Sequence, residues 1–429
     1  MKEKFDAIVV GAGPAGCSCA YTLAKAGLST LLIERGKFPG SKNMWGGVLY
    51  GPILSWLFPH FPKEAPVERP ITRRKFSLLA EEAEFTFEFS SKKFSSPPYL
   101  GYSLLRAKFD RWLAQEAEKQ GALLVAPLQA DDLIWEGERV AGIKAGGEGF
   151  FSNVVIACDG VNSLLAEKAG LRGRLRPRFI KQGVKELIHL SKEKIEERFN
   201  LSEEEGLAWE FVGTFTRGVK GGAFLYTNKE TCSVGVVVGL KSLLENKVTA
   251  NELLENFKKH GSISKYIGDG KLIEYSAHLL PVPQKPFSQS FSRDGFLVAG
   301  DAASFTFATG FALEGANFAL LSGIAAAEAT IRAKKEGDFS QKTLSLYERL
   351  LKENPLFKDF KTFKRAPHFL ENQRLYSLYP PLLCEIAERV LLNEGKPRKK
   401  VSHLFRESIK GKASLLEVLY DLWQMRRAL

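Results

Sequence analysis

The apolar positions of this chain change period several times, and the changes mark its elements. Residues 5–10 (Phe-Asp-Ala-Ile-Val-Val) form a short apolar run ending in glycine, the pattern of a strand buried on both faces. Gly11 to Gly27 read as a tight turn and a helix, and residues 28–34 (Leu-Ser-Thr-Leu-Leu-Ile-Glu) as a second buried strand, so the first 34 residues predict a compact βαβ unit. From Gly36 to about Pro70 glycine, proline and aromatic residues are dense, which predicts irregular loops. Residues 76–90 alternate, with Phe76, Leu78, Phe85, Phe87 and Phe89 on one side, as in an antiparallel sheet. Helical periodicity returns at Leu104–Gln120, followed by strands near Leu123–Val125 and Gly149–Ala157. Residues 180–240 read as mostly β, Gly295–Ala299 as another short buried strand, and 311–335 as a long Ala/Leu-rich helix; 341–429 are largely helical with proline breaks.

The first chemistry-bearing motif sits in the βαβ unit. Gly11-Ala12-Gly13-Pro14-Ala15-Gly16 is a G-x-G-x-x-G turn directly after a strand and opening a helix. The first glycine permits the turn, the second lets the backbone approach a pyrophosphate, and the third allows close helix–strand packing. Backbone N–H groups at the positive end of the helix then face the diphosphate. Glu34 ends the second strand, where a carboxylate accepts from ribose hydroxyls, and Arg35 adjoins it. The motif occurs once, so a second dinucleotide domain is not expected. The order α/β, β, α/β, helical predicts an α/β fold: a Rossmann-like nucleotide domain interrupted by a β-rich (α+β) insertion and followed by a helical C-terminal region.

Composition narrows the partners. At 429 residues, with 45% hydrophobic and 26% charged residues, the chain suits one to three globular domains. No signal peptide and no run of about 18 apolar residues is visible, so neither export nor a membrane span is expected. The five scattered cysteines read as reduced thiols, and without four closely spaced thiolates no iron–sulfur cluster is expected on this chain. The formal charge of +12 favours an acidic protein or an anionic membrane surface. The basic residues are not interleaved with aromatics as in single-strand binders, so no nucleic-acid partner is expected.

Further segments carry a resemblance. Gly295-Phe-Leu-Val-Ala-Gly300-Asp301-Ala-Ala-Ser resembles the second FAD motif of glutathione-reductase and p-hydroxybenzoate-hydroxylase type flavoproteins. In that family the aspartate bonds the ribityl chain and the next helix N-terminus faces the flavin, here through Gly310, Phe311 and Ala312. Asp159-Gly160 resembles the mid-chain element of the hydroxylases, and Arg106 an arginine that approaches the diphosphate. Within this superfamily, Gly40-Ser-Lys-Asn43-Met-Trp-Gly46-Gly47-Val-Leu-Tyr50-Gly51 resembles the flavin-side loop of the FixC family. Gly221–Val238 resembles that family's inserted sheet, and Phe363–Tyr376 its C-terminal helical element.

That family comprises electron-transfer-flavoprotein:quinone oxidoreductase subunits of FixABCX-type complexes. The resemblance implies FAD as cofactor and membrane quinone as acceptor. It implies the alpha and beta subunits of an electron-transfer flavoprotein and a cluster-bearing, ferredoxin-like FixX subunit as partners. It further implies a place in the exergonic arm of electron bifurcation and a cytoplasmic, peripheral position on the inner face of the cell membrane. The expected FAD domain is 1–70, 101–175 and 285–340; the quinone domain is 71–100 and 176–284; the partner-contacting region is 341–429. Asn43, Gly46 and Gly47 join the expected cofactor contacts, while Tyr50 and His60 are the candidates for proton transfer to quinone. Leu54–Phe61 reads either as a membrane or tunnel segment or as core, and the last helix, Leu415–Arg427, as a membrane or partner contact or a core cover. Two alternatives remain at this point: a geranylgeranyl-reductase-like lipid reductase, whose expected loop cysteine is missing here, and a non-enzymatic electron-relay scaffold.

Overall fold

A computed structural model describes residues 4–42, 47–50, 53–99, 101–282, 290–310, 313–393, 395 and 397–429. Its eight-stranded sheet has a parallel centre in the spatial order Leu123–Val125, Thr30–Ile33, Lys4–Val10, Glu148–Ala157, Phe296–Val298. This is the doubly wound order, whose crevice opens at the carboxyl ends of the strands. Ile8, Val9, Leu32, Val155 and Ile156 are almost wholly buried, which is why these strands read as apolar runs without alternation. The hairpin Ala130–Glu136/Arg139–Ala145 adds antiparallel to Glu148–Ala157. Helices Pro14–Lys25 and Ala316–Glu336 pack tightly together, and Ser18 Oγ donates across the contact to Leu320 O at 2.9 Å.

A seven-stranded sheet runs Lys271–Pro281, Ile180–His189, Thr231–Gly239, Gly221–Thr227, Leu207–Gly213, Arg73–Leu79, Glu84–Ser90. All neighbours are antiparallel except Leu207–Gly213 with Arg73–Leu79, where the early strand pair joins the later strands. Alternation sorts its side chains by face. Trp209, Phe211, Leu225, Val234 and Val236 bury beneath Ile195 and Phe199 of helix Lys192–Phe199 and Leu253, Leu254 and Phe257 of helix Ala250–Lys259. Arg74, Glu210, Phe224, Tyr226 and His278 occupy the other face.

Three elements depart from the sequence expectation for local reasons. Lys192–Phe199, inside the stretch read as mostly β, is helical because Ser191 caps it, its hydroxyl accepting from Lys194 N, and because Ile195 and Phe199 share one buried turn face. The long helix begins at Ala316 and not near 311, since Leu313–Glu314 pairs with Phe307–Ala308. The region 36–70 contains strands Val48–Tyr50 and Val67–Pro70, both paired with Gly101–Leu104, and the short helix Ile53–Leu57. Within Leu54–Phe61, Leu54 and Phe58 are core, Phe58 sitting between Tyr21 and Trp112, while Trp56 is 61% exposed.

The C-terminal helices Tyr379–Leu391, Val401–Ile409 and Leu415–Ala428 close the chain. Arg374 forks onto the buried Asp421 at 2.6 and 2.7 Å and anchors the last helix, whose Leu416, Leu419 and Trp423 remain exposed. Among the described residues no helix is long and apolar enough to cross a membrane. Each of the five cysteines is a buried free thiol.

Candidate active site

The glycine turn is built as tightly as its spacing suggests. Gly11 has φ +101°, and a Cβ there would stand 2.4 Å from Cys158 O; one on Gly16 would stand 1.8 Å from Gly11 O. A Cβ on Gly13 would meet only Arg106 Nη2, at 3.7 Å, because this residue faces the crevice. Helix Pro14–Lys25 starts without a capping side chain, so its first N–H groups are left for an anion. Glu34 holds the turn in place, Oε2 accepting from Ala12 N at 3.0 Å and Oε1 from Gly36 N at 2.6 Å. Arg106 enters from the start of helix Arg106–Lys119, its Nε and Nη2 each 2.6 Å from the buried Asp110 carboxylate.

Two aspartates come from the neighbouring strand ends. Asp159 accepts from Ser163 Oγ at 2.7 Å, and burial raises its pKa against the hydrogen bonds it receives. Burial pushes Asp301 up to about 6, against the pull of Arg106 and Arg172. Gly300, at φ +65°, docks this second turn on the first helix: its N–H donates to Ser322 Oγ at 2.9 Å, and a Cβ would stand 2.9 Å from Ala15 Cβ. The seven-stranded sheet roofs the same crevice with Phe224, Tyr226, Val237, His278 and Leu280. Burial, then the charges of Arg106 and Arg35, lower the His278 pKa to about 4, so the imidazole is neutral at pH 7.

Of the residues expected from sequence to hold the cofactor, Gly11, Gly13, Pro14, Ala15, Glu34, Arg35, Arg106, Asp159 and Asp301 line this one crevice. Gly16 and Gly300 support it from behind. Gly47 is buried, its carbonyl accepting from Leu104 N at 3.1 Å, and Gly310 turns at φ +96° beside Leu370. Asn43, Gly46 and Phe311 lie outside the described residues. Tyr50 is half-buried beneath the Arg74 guanidinium, and His60 is exposed in the turn after Ile53–Leu57. The sequence reading passed over Phe224, Tyr226 and His278 as site residues. The i, i+2 spacing of Phe224 and Tyr226 put them on one face, but which face meets the crevice is set by tertiary packing. His278 carried no local signal at all.

An uncapped helix behind a glycine turn, a buried aspartate on the next strand end and an antiparallel roof define an FAD-dependent oxidoreductase. The family model described as FAD dependent oxidoreductase matches residues 6–91. More particularly, the chain belongs to the ETF-QO/FixC family. The ubiquinone-binding model of ETF-QO matches residues 181–280, and the ETF-QO/FixC family C-terminal domain matches 366–429. The chain is 41% identical over 419 residues to the probable electron transfer flavoprotein-quinone oxidoreductase YdiS of Escherichia coli K12, covering 98% of this chain and 97% of that protein. It is 37% identical over 433 residues to protein FixC of Azotobacter vinelandii, covering all of both. Among solved structures, a geranylgeranyl bacteriochlorophyll reductase-like protein from Thermoplasma acidophilum superposes with TM-score 0.74 at 22% identity, over 99% of this chain and 100% of that one. A flavin-dependent brominase gives TM-score 0.65 at 18% identity, over 95% and 98%. At these identities the likeness is one of fold.

Proposed function

We propose that this chain takes electrons from an electron-transfer flavoprotein and passes them to membrane quinone. One observation carries the reading: the dinucleotide turn and the segment matching a ubiquinone-binding module line the same crevice, Gly13 and Ala15 on one side and Tyr226 and His278 on the other. The residues fit an FAD. The pyrophosphate would lie against the N–H groups of the uncapped helix with Arg106 nearby, the adenosine ribose toward Glu34, and the ribityl chain toward Asp301. When bound, the flavin supplies the exchange between one-electron and two-electron carriers. The protein's own part is to orient that group, to screen it with the sheet roof, and to bring protons to the acceptor.

The donors are the alpha and beta subunits of an electron-transfer flavoprotein, with a ferredoxin-like FixX-type subunit carrying the cluster, and the chain forms the exergonic arm of a bifurcating complex. It sits peripherally on the cytoplasmic face of the cell membrane. The exposed Leu416, Leu419 and Trp423, with Arg427 4.4 Å from the Trp423 ring, have the character of an interfacial helix. The domain division is FAD-binding for 1–70, 101–175 and 285–340, quinone-binding for 71–100 and 176–284, and partner-contacting for 341–429.

The test is a reductive titration of the purified chain with its co-purifying partners, using NADH and then a ubiquinone or menaquinone analogue. Flavin bleaching that requires the partners, followed by reoxidation on adding quinone, is expected. Reduced flavin that ignores quinone but is reoxidised by a polyprenyl substrate would replace this reading with a lipid reductase.

A further inference from the structure

The edge strand Lys271–Pro281 carries polar groups on its crevice side that the described residues leave without partners. Alternation puts Ser276, His278 and Leu280 on the same side of that strand, and His278 and Leu280 line the crevice. His278 stands opposite Gly183, and Gly183 opposite Val237, another crevice residue, so the directly paired position has no side chain to cover the imidazole. Among the described residues neither ring nitrogen of His278 has a hydrogen-bond partner. The Ser276 hydroxyl, two residues earlier, is buried and likewise unpartnered. Lys185, opposite Ser276, is already engaged, its ammonium 2.9 Å from Glu274.

Across the crevice from the imidazole lies the dinucleotide turn. Burial first, then the charges of Arg106 and Arg35, lower the His278 pKa to about 4, so the ring is neutral at pH 7 and keeps one N–H to donate. The Arg106 guanidinium in turn is 3.7 Å from where a Gly13 Cβ would stand, at the mouth of a helix whose first N–H groups have no side-chain cap. That floor suits a diphosphate, and His278 is the polar side chain that the roof sets against it. The bland reading is a half-buried histidine that pads an edge strand. It explains a neutral ring. It does not explain why an imidazole and a hydroxyl on one face both lack an internal partner, since buried polar groups are ordinarily bonded.

We propose that the inserted sheet grips the FAD diphosphate from the roof side: His278 donates its imidazole N–H to a phosphate oxygen, opposite Arg106 and the helix N–H groups. The cofactor is then clamped between two parts of the chain and not simply seated in the first. The inference rests on the FAD class of the crevice and is independent of the quinone reading. His278 is a binding residue; no bond is made or broken at it.

The experiment uses the full chain, depleted of FAD and titrated at neutral pH with FAD and, separately, with ADP, which carries the diphosphate without the flavin. H278A is expected to weaken both ligands by a similar factor, roughly 10- to 100-fold, as for one hydrogen bond to a charged group. H278Q, which restores an N–H, is expected to recover most of the loss. Independently of how any variant folds, the His278 ring signals in the wild-type NMR spectrum, assigned by their absence from H278Q, should shift with ADP. They should stay in place with adenosine at the same concentration. Wild-type affinities in H278A would overturn the proposal. So would a loss confined to FAD, which puts the contact on the flavin side, or an H278Q as weak as H278A, which makes the role one of packing. Ring signals that ignore ADP, or that move equally with adenosine, would overturn it as well. If the unmutated chain binds neither FAD nor ADP, the cofactor class fails first and takes this inference with it.

Discussion

Gly323→Ala tests whether the helix crossing beneath the crevice controls cofactor binding. A Cβ on Gly323 would stand 2.1 Å from Ala15 O and 2.3 Å from Ser18 Oγ. In an open helix interior the substitution would stabilise by about 1 kcal/mol through helix propensity. Here the contact must widen toward the roughly 3.5 Å of an ordinary carbon contact, so the helices part by about 1 Å or more. Overpacking of this kind costs about 1–3 kcal/mol. Weakening the 2.9 Å bond from Ser18 Oγ to Leu320 O costs about 1 kcal/mol more. The clash wins, leaving a net loss of about 1–3 kcal/mol by the same magnitudes. Ala15 lines the crevice and also supports Gly300, so FAD retention should suffer along with stability. The assay is Tm with and without added FAD, together with FAD content after gel filtration. Gly261→Ala, where a Cβ would meet nothing within 4 Å, is the control and should hold both at wild-type values. G323A with wild-type Tm and FAD content would show that the helices separate freely, and would refute the reasoning.

Arg69 is buried at the base of the seven-stranded sheet, donating to Asn228 O at 2.9 Å, Ser202 O at 3.1 Å, Glu205 O at 3.0 Å and Glu196 Oε1 at 3.0 Å. R69A should cost about 3–5 kcal/mol, since it strands these acceptors, and urea unfolding that stays within 1 kcal/mol of wild type (about fivefold in the folding constant) would contradict this. His278, with its pKa lowered to about 4, contributes stability that is fully present above its unfolded value near 6.5 and is lost as pH falls toward 4. H278Q should therefore flatten that part of the acid limb in a Tm-versus-pH series. R374A removes the fork onto Asp421, worth about 1.5–3 kcal/mol as a charged hydrogen bond, and should make the last helix the first site of limited proteolysis.

The turn at Gly11–Gly16 was legible because each glycine answers a local steric demand that sequence spacing encodes. Glu34, Asp159 and Asp301 were legible for a related reason: they follow buried strands whose apolar runs fix where the strand ends. The roof was not. Nothing in residues 271–281 distinguishes His278 from a solvent-facing histidine, because the face it takes depends on pairing with Ile180–His189 and on which side of the sheet the helices cover. Glu210 and Arg74 are 136 residues apart and meet only through the parallel pairing of their strands. Helix Lys192–Phe199 was hidden by strong β patterns on either side, although its Ser191 cap was present in the sequence.

The charges in and around the crevice divide along its length. Arg35, Arg106 and the uncapped helix N-terminus gather at the dinucleotide turn, where a diphosphate needs positive potential. Those same cations help to keep His278 neutral, so the roof adds no further positive charge there. On the roof, Glu210 pairs with the Arg74 guanidinium at 2.8 Å, so that cation is balanced by a carboxylate and not added to the positive potential at the turn. Unbalanced positive charge is thereby confined to the turn, and the rest of the roof carries neutral or paired groups, as a poorly solvated crevice requires.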